Sequence, residues 1–203
     1  EFEKFESYII KAIKAAKLQS YKSICKLPIT KYYNNDILQY IYMNLITFMS
    51  NPLSLEEICT ILYCLNQILI NCKKEVSNQI IIIIELIRKI SSLFMKSVLT
   101  QNPTFKQLRL MTKLFLSLSK LSNSSNLQYL IACFVSNLSI NQIDDDFDQM
   151  KRRTLQASVF PLIARCTKEQ IGEISTALHE SHRQVFQNLY NRYTEEAQYK
   201  GKV

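Results

Sequence analysis

The chain has 203 residues, of which 47% are hydrophobic and 21% charged, a composition typical of a folded globular protein. Only two residues are glycine, and this argues against β-hairpin folds, dinucleotide-binding turns and phosphate-binding loops, which need glycine at positive φ. The net charge of +8 suits a polyanionic partner such as RNA but does not establish one, because a lysine-rich composition from an AT-rich genome also explains it.

Helical spacing of apolar residues predicts the first three helices. The first covers about residues 5–25 and carries lysines on its outer surface. The second covers about residues 36–49, before Asn51-Pro52 interrupts the pattern. Ser54 and Glu57 have the spacing of a capping box, in which each side chain accepts from the backbone of the other residue. This pair predicts a third helix that ends near Cys72.

An isoleucine run, Ile80–Ile84, lies within the fourth predicted helix, which covers about residues 76–99. β-branched residues favour strands, but apolar residues continue at helical spacing as far as Phe94. We therefore expect a deeply buried helix. The run is also far shorter than the ~20 apolar residues that cross a membrane.

Asn102 and Pro103 predict the N-cap and first residue of a fifth helix, which ends near Leu121. A polar connector at residues 122–125 follows, and apolar periodicity predicts a sixth helix over about residues 127–138.

The seventh predicted helix covers about residues 147–166, and we expect Pro161 to kink it. Thr167 with Gln170 predicts a capping box and a short helix that ends near Leu178. A third such pair, Ser181 with Gln184, predicts the start of the last helix, which ends near residue 197.

The predicted fold is all-α, with about nine antiparallel helices packed as degenerate HEAT- or armadillo-like α-α repeats and a C-terminal helical cap. The best internal seam separates an N-terminal helical stack, residues 1–142, from the cap, residues 143–203. We expect the two parts to form one continuous domain. The chain begins with Glu1-Phe2 and not with methionine, so we expect it to be part of a longer protein.

The densest charge is the acidic cluster at residues 144–148, which contains four aspartates. A calcium-binding EF-hand loop needs glycine at its sixth position and glutamate at its twelfth, where this chain has Gln149 and Leu155. We therefore interpret the carboxylates as favourable charges at a helix start and not as a metal site.

A basic group, Lys151, Arg152 and Arg153, follows directly. It is a candidate for contact with RNA or an acidic partner, as are Lys200 and Lys202 near the chain end. The alternative is an ordinary solvated face on which Asp148 pairs with Arg152, and no aromatic residue is interleaved as a base-stacking platform requires.

His179 and His182 are the only histidines, and no cysteine or carboxylate lies at a spacing that completes a zinc site. The six cysteines lack CxxC spacing, so we interpret them as buried apolar residues of a reducing compartment. We expect no catalytic, metal-binding or cofactor-binding residues, because no nucleophile and base stand together.

The last 45 or so residues carry the most informative pattern. It consists of Phe160 and Leu162, then Cys166 and Leu178, and then a helix with Arg-x-x-Phe-x-x-Leu-Tyr-x-x-Tyr spacing. This ordered set resembles the C-terminal signature of the nucleolar unhealthy ribosome biogenesis family, second member, also called nucleolar pre-ribosomal-associated protein. The matching residues, which we expect to pack first and to contact partners second, are Phe160, Leu162, Leu178, Arg183, Phe186, Leu189, Tyr190 and Tyr193.

The resemblance implies a large helical scaffold of the nucleus and nucleolus that acts in pre-rRNA processing and early assembly of the large ribosomal subunit. It implies partners among other assembly proteins, including a DEAD-box helicase, with pre-ribosomal RNA bound directly or indirectly. It implies no enzymatic activity, no small-molecule substrate and no membrane contact. Two alternatives remain open, a direct RNA-binding helical module and an unrelated HEAT- or armadillo-like adaptor.

Arg183 is the least expected residue of this set. It falls in the first turn of the last predicted helix, where the helix dipole disfavours a cation. We therefore expect a carboxylate or a backbone carbonyl to hold its side chain.

Overall fold

The computed structural model describes residues 35–121, 123–140 and 149–199, together with Gln19. All regular structure within these ranges is helical, which confirms the predicted all-α class. The helices are α1 (Asn35–Met49), α2 (Leu55–Asn71), α3 (Lys73–Asn78), α4 (Ile80–Thr100), α5 (Phe105–Leu118), α6 (Ser124–Ile140), α7 (Gln149–Gln156), α8 (Phe160–Ile163), α9 (Lys168–Ala177) and α10 (Glu180–Tyr199). A 3₁₀ turn, Ala157–Val159, joins α7 to α8. The predicted helix over residues 5–25 lies outside the described residues.

Two of the predicted capping boxes are confirmed. The N–H of Glu57 donates to Ser54 Oγ at 3.3 Å, and the N–H of Ser54 donates to the Glu57 carboxylate at 2.8 Å. Thr167 and Gln170 make the same reciprocal pair, at 3.3 and 2.9 Å. Each box satisfies two N–H groups that the helix start leaves without a partner, and this fixes where α2 and α9 begin.

The predicted start of the fifth helix is wrong. Thr104, not Asn102, is the N-cap of α5, and its Oγ1 accepts from the N–H of Gln107 at 3.3 Å while Gln107 Oε1 accepts from the N–H of Thr104 at 2.7 Å. Pro103 therefore precedes the helix. A complete capping box satisfies more backbone donors than an Asn-Pro start, and this explains the later beginning.

The third predicted capping box is also wrong. The last helix begins at Glu180, and the N–H of Arg183 donates to the carbonyl of His179 at 2.9 Å, which places His179 at the N-cap. Ser181 consequently lies inside the first turn, where its hydroxyl contacts His179 Nδ1 at 3.1 Å. A start two residues earlier leaves the serine unable to act as a cap.

The isoleucine run is helical as predicted, but its expected deep burial is only half right. Ile83 and Ile84 are buried, whereas Ile81 is 77% exposed and Ile82 is 42% exposed. A helix turns successive residues through about 100°, so five consecutive isoleucines cannot all face one core. The predicted helix is also divided, because Gln79 separates α3 from α4.

The expected disruption near Pro161 takes the form of the 3₁₀ turn one helical turn earlier. The N–H of Phe160 donates to the carbonyl of Ala157, three residues back, and the proline itself falls in the first turn of α8. Pro161 has no N–H to donate to the carbonyl of residue 157, so this carbonyl accepts from Phe160 instead and the helix tightens into a 3₁₀ turn.

A second boundary difference is that α6 already begins at Ser124, within the predicted connector.

The buried apolar residues form one connected core that extends from Leu38 in α1 to Leu189 in α10. Helix α4 packs against α1, α2 and α6, and α5 packs against α2, α7, the 3₁₀ turn and α8. Helix α6 packs against α9 and α10. Because helices on both sides of the predicted seam share this core, we propose that residues 1–142 and 143–203 act as one domain. The repeat-like periodicity stays a prediction.

Of the described cysteines, Cys59, Cys64 and Cys72 are buried, which agrees with their interpretation as core residues, whereas Cys133 and Cys166 are only half-buried. Burial, with a smaller effect of nearby Glu56, raises the pKa of Cys59 from 9.0 to about 11. Because the thiolate is the reactive species, we expect Cys59 to react with iodoacetamide at about pH 8 only after unfolding. Mass spectrometry of Cys59 labelling with and without denaturant measures this, and rapid labelling of the native chain would contradict it.

Candidate functional site

The family-signature residues lie where the last helix packs onto the rest of the fold. Leu162 in α8, Leu178 between α9 and α10, and Phe186 and Leu189 in α10 are all buried. Phe160, Tyr190 and Tyr193 are partly buried against the same core. Seven of the eight signature residues therefore pack the cap, as we expected from their apolar character.

The signature aromatics form a continuous row along α10 that ends on α8. The rings of Phe186 and Tyr190 lie 6.4 Å apart between centroids, and those of Tyr190 and Tyr193 lie 6.2 Å apart. Tyr193 then meets Phe160 edge to face at 5.6 Å, a geometry that aromatic quadrupoles favour. Burial raises the pKa of Tyr193, with a further contribution from Tyr190. This row attaches α10 to α8.

Backbone carbonyls, one of the two kinds of partner that we expected, hold the side chain of Arg183. Its Nε donates to the carbonyl of Ser175 at 2.9 Å, and its terminal guanidinium nitrogen donates to the carbonyl of Leu178 at 3.3 Å. Both carbonyls lie at the C-terminal end of α9, where the helix dipole favours a cation. The side chain of Arg183 thus stabilises the end of the preceding helix and fixes the sharp turn between α9 and α10.

Arg183→Ala removes two charge-assisted hydrogen bonds to backbone carbonyls. We expect the free energy of unfolding to fall by about 1–2 kcal/mol, the lower part of the usual range because the site is exposed. Urea titration of the 203-residue chain measures the loss. Arg109→Ala in α5 is the matched control, since Arg109 is exposed and has no described hydrogen bond or ion pair, and we expect it to change stability by less than about 0.5 kcal/mol. Equal effects of the two substitutions would contradict the capping role.

The predicted basic group divides between two places. The ammonium group of Lys151 donates to the side-chain carbonyl of Asn102, at the start of the α5 region. Arg152 and Arg153 instead line an open groove of about 670 Å³ between α7 and α10. The other candidate contacts, Lys200 and Lys202, lie outside the described residues, as do the acidic cluster at 144–148 and the predicted Asp148–Arg152 pair.

The groove contains a third arginine, Arg192, that the sequence did not indicate as a site residue. Arg192 of α10 lines it opposite Arg152 and Arg153, and its guanidinium donates to the side chain of Gln156 in α7 and lies 4.0 Å from Glu196. Arg192 stands between two signature tyrosine positions in the sequence, but only the fold, which sets α10 across the groove from α7, places it with the basic pair. The α7–α10 groove is therefore a tertiary feature.

The two histidines lie side by side, with ring centroids 6.1 Å apart. His182 Nδ1 is 3.2 Å from the hydroxyl of Ser136 in α6, and His179 Nδ1 contacts Ser181. Across the described ranges, His, Cys, Asp and Glu residues form no group of three or more able to hold a metal ion. The contact of His182 connects α10 to α6, and the contact of His179 lies within the first turn of α10.

A comparison with protein families identifies the chain. The model of the Urb2/Npa2 family matches residues 48–202, about three quarters of the sequence. The chain belongs to the Urb2/Npa2 family. This family is involved in ribosome biogenesis, which agrees with the resemblance carried by the terminal signature. No curated protein and no solved structure matches the chain.

The Urb2/Npa2 match contains both the signature residues and the α7–α10 groove. Membership of the Urb2/Npa2 family replaces the alternative of an unrelated adaptor. Within the described part of the chain, no helix is long and apolar enough to cross a membrane.

Proposed function

We propose that this Urb2/Npa2 domain is a non-enzymatic scaffold that acts in the nucleus and nucleolus, in pre-rRNA processing and early assembly of the large ribosomal subunit. The observation that carries the proposal is the family match over residues 48–202. The domain acts by presenting a rigid helical surface to other assembly proteins.

The signature residues have structural roles, and this supports a binding role for the surface that they leave exposed. They pack the last helix and cap α9, and they leave polar and charged side chains of α7 and α10 at the surface. A surface supported by a shared hydrophobic core is rigid, so it loses little conformational entropy when it binds a partner. Such a surface suits specific binding. The proposed partners are other assembly proteins, including a DEAD-box helicase, with no small-molecule substrate.

Affinity purification of the tagged full-length protein tests this proposal. We expect it to recover other assembly proteins together with precursor RNA of the large subunit. A matched purification with an unrelated tagged nuclear protein controls for abundant RNA and ribosomal proteins. Recovery of only cytosolic partners, or of no assembly factor, would contradict the scaffold role.

Direct RNA binding is the second candidate function, and the net charge of +8 favours it. Each phosphate neutralised in such binding makes affinity fall by roughly one log unit per log of salt. Fluorescence anisotropy of a labelled single-stranded RNA with the purified chain, across a NaCl series, measures this slope. Weak, salt-insensitive binding would remove the candidate.

A further inference from the structure

The α7–α10 groove is open to solvent along the side where α7 lies beside the second half of α10. Arg153 is exposed, and Met150 is 63% exposed at the same wall. Among the described residues none forms a hydrogen bond or ion pair with Arg153. A large exposed thioether beside an exposed guanidinium is available for a partner to cover.

The lining combines two kinds of chemistry. Arg152, Arg153 and Arg192 present guanidinium groups, which bind carboxylates through paired N–H donors. Met150 and Ala157 supply an adaptable apolar surface. A ligand that satisfies both carries carboxylates and at least one apolar side chain.

The groove favours a protein over a nucleic acid. Glu195 and Glu196 line the α10 wall, and their carboxylates repel a phosphate backbone that follows the groove. No aromatic residue is among the groove's described lining residues, so bases have no stacking platform there. A peptide can direct individual carboxylates to the arginines and keep them away from the two glutamates.

Arg192 is also held in place before any partner binds. Gln156 accepts from its guanidinium across the groove, and Glu196 lies one turn further along α10. A guanidinium with a fixed position loses less side-chain entropy when it binds a carboxylate. Arg153, which is not held in this way, supplies the adaptable second contact.

We propose that the α7–α10 groove is the docking site for an acidic segment of a partner protein, whose carboxylates bind Arg152, Arg153 and Arg192 and whose apolar side chain covers Met150. This inference rests on the scaffold function and names the chemistry of one partner. It assigns Arg152 and Arg153 of the predicted basic group a protein ligand and not RNA.

Site-specific photo-crosslinking in cells tests the docking site. Gln149 lines the groove and is exposed, so the full-length protein carries p-benzoylphenylalanine in its place. The crosslinked material is identified by mass spectrometry after purification, and large-subunit precursor RNA is measured in the same sample. We expect crosslinks to one recurrent protein segment with aspartates or glutamates beside the attachment point.

Charge reversal then tests whether the arginines hold that segment. We expect Arg153→Glu to lower the crosslink yield about tenfold, and Arg152→Glu with Arg153→Glu to lower it further. The controls are Lys74→Glu, and Lys73→Glu with Lys74→Glu, which reverse the same charges on exposed residues of α3, and we expect no change. Because Arg153 is exposed, the single substitution keeps the fold intact.

Several results would overturn the docking site. These are crosslinks mainly to RNA, crosslinks to a segment without carboxylates, a yield that Arg153→Glu leaves unchanged, and no crosslink while precursor RNA is still recovered. In each case the scaffold function survives. Absence of assembly factors and precursor RNA from the wild-type purification contradicts the scaffold function itself.

Discussion

Phe186→Ala is expected to lower the free energy of unfolding by about 3–5 kcal/mol. Phe186 is 1% exposed in the first half of α10, and its ring begins the aromatic row that ends at Phe160. Alanine removes the burial of the ring and leaves a cavity between α10 and the core. Urea titration followed by circular dichroism measures the change.

The control for this substitution is Gln198→Ala on the same helix, because Gln198 is exposed and has no described hydrogen bond. We expect it to change stability by less than about 0.5 kcal/mol. A comparably small loss in Phe186→Ala would mean that α10 does not pack through its signature face. The partner-binding surface would then lack its support.

Phe115→Ala is expected to produce a similar loss, about 3–5 kcal/mol, at the centre of the molecule. Phe115 lies in α5, is 1% exposed, and meets Phe134 of α6 edge to face with centroids 5.7 Å apart. Helix α5 also packs against α7, the 3₁₀ turn and α8. The substitution should therefore destabilise the C-terminal cap as well as the helices that precede it.

Hydrogen exchange of α10 amides distinguishes one domain from two in this variant. In a single domain, Phe115→Ala speeds exchange in α10 because both parts open together. The neighbouring substitution Leu116→Ala is the control, since Leu116 is 47% exposed and should have little effect. Unchanged protection of α10 in Phe115→Ala would show that residues 143–203 fold separately.

The helices could be predicted from the sequence because apolar residues recur at the helical period wherever one face of a helix is buried. Capping boxes could be predicted where a single choice of residues was available, as at Ser54 and Thr167. The predictions failed where two starts compete within two residues, at Asn102 against Thr104 and at Ser181 against His179. At α5 the complete box of Thr104 with Gln107 outweighs the Asn-Pro start, whereas at α10 the local sequence does not decide between His179 and Ser181.

The site was predictable in part. That Arg183 has a carboxylate or carbonyl partner followed from electrostatics alone, since a cation at a helix start needs a compensating group, but the choice of the Ser175 carbonyl did not. Arg192 could not be found this way, because its role in the groove depends on α10 lying beside α7. The exposure of Ile81 had the same origin, as only the neighbours of α4 determine which isoleucines are covered.

A pull-down from RNase-treated nuclear extract tests the scaffold role most directly. The purified 203-residue chain is immobilised, and bound proteins are compared with and without prior digestion of RNA. A protein-binding scaffold retains the same assembly factors after digestion. If no assembly factor binds, or if every one is lost with the RNA, the chain does not act by holding other proteins.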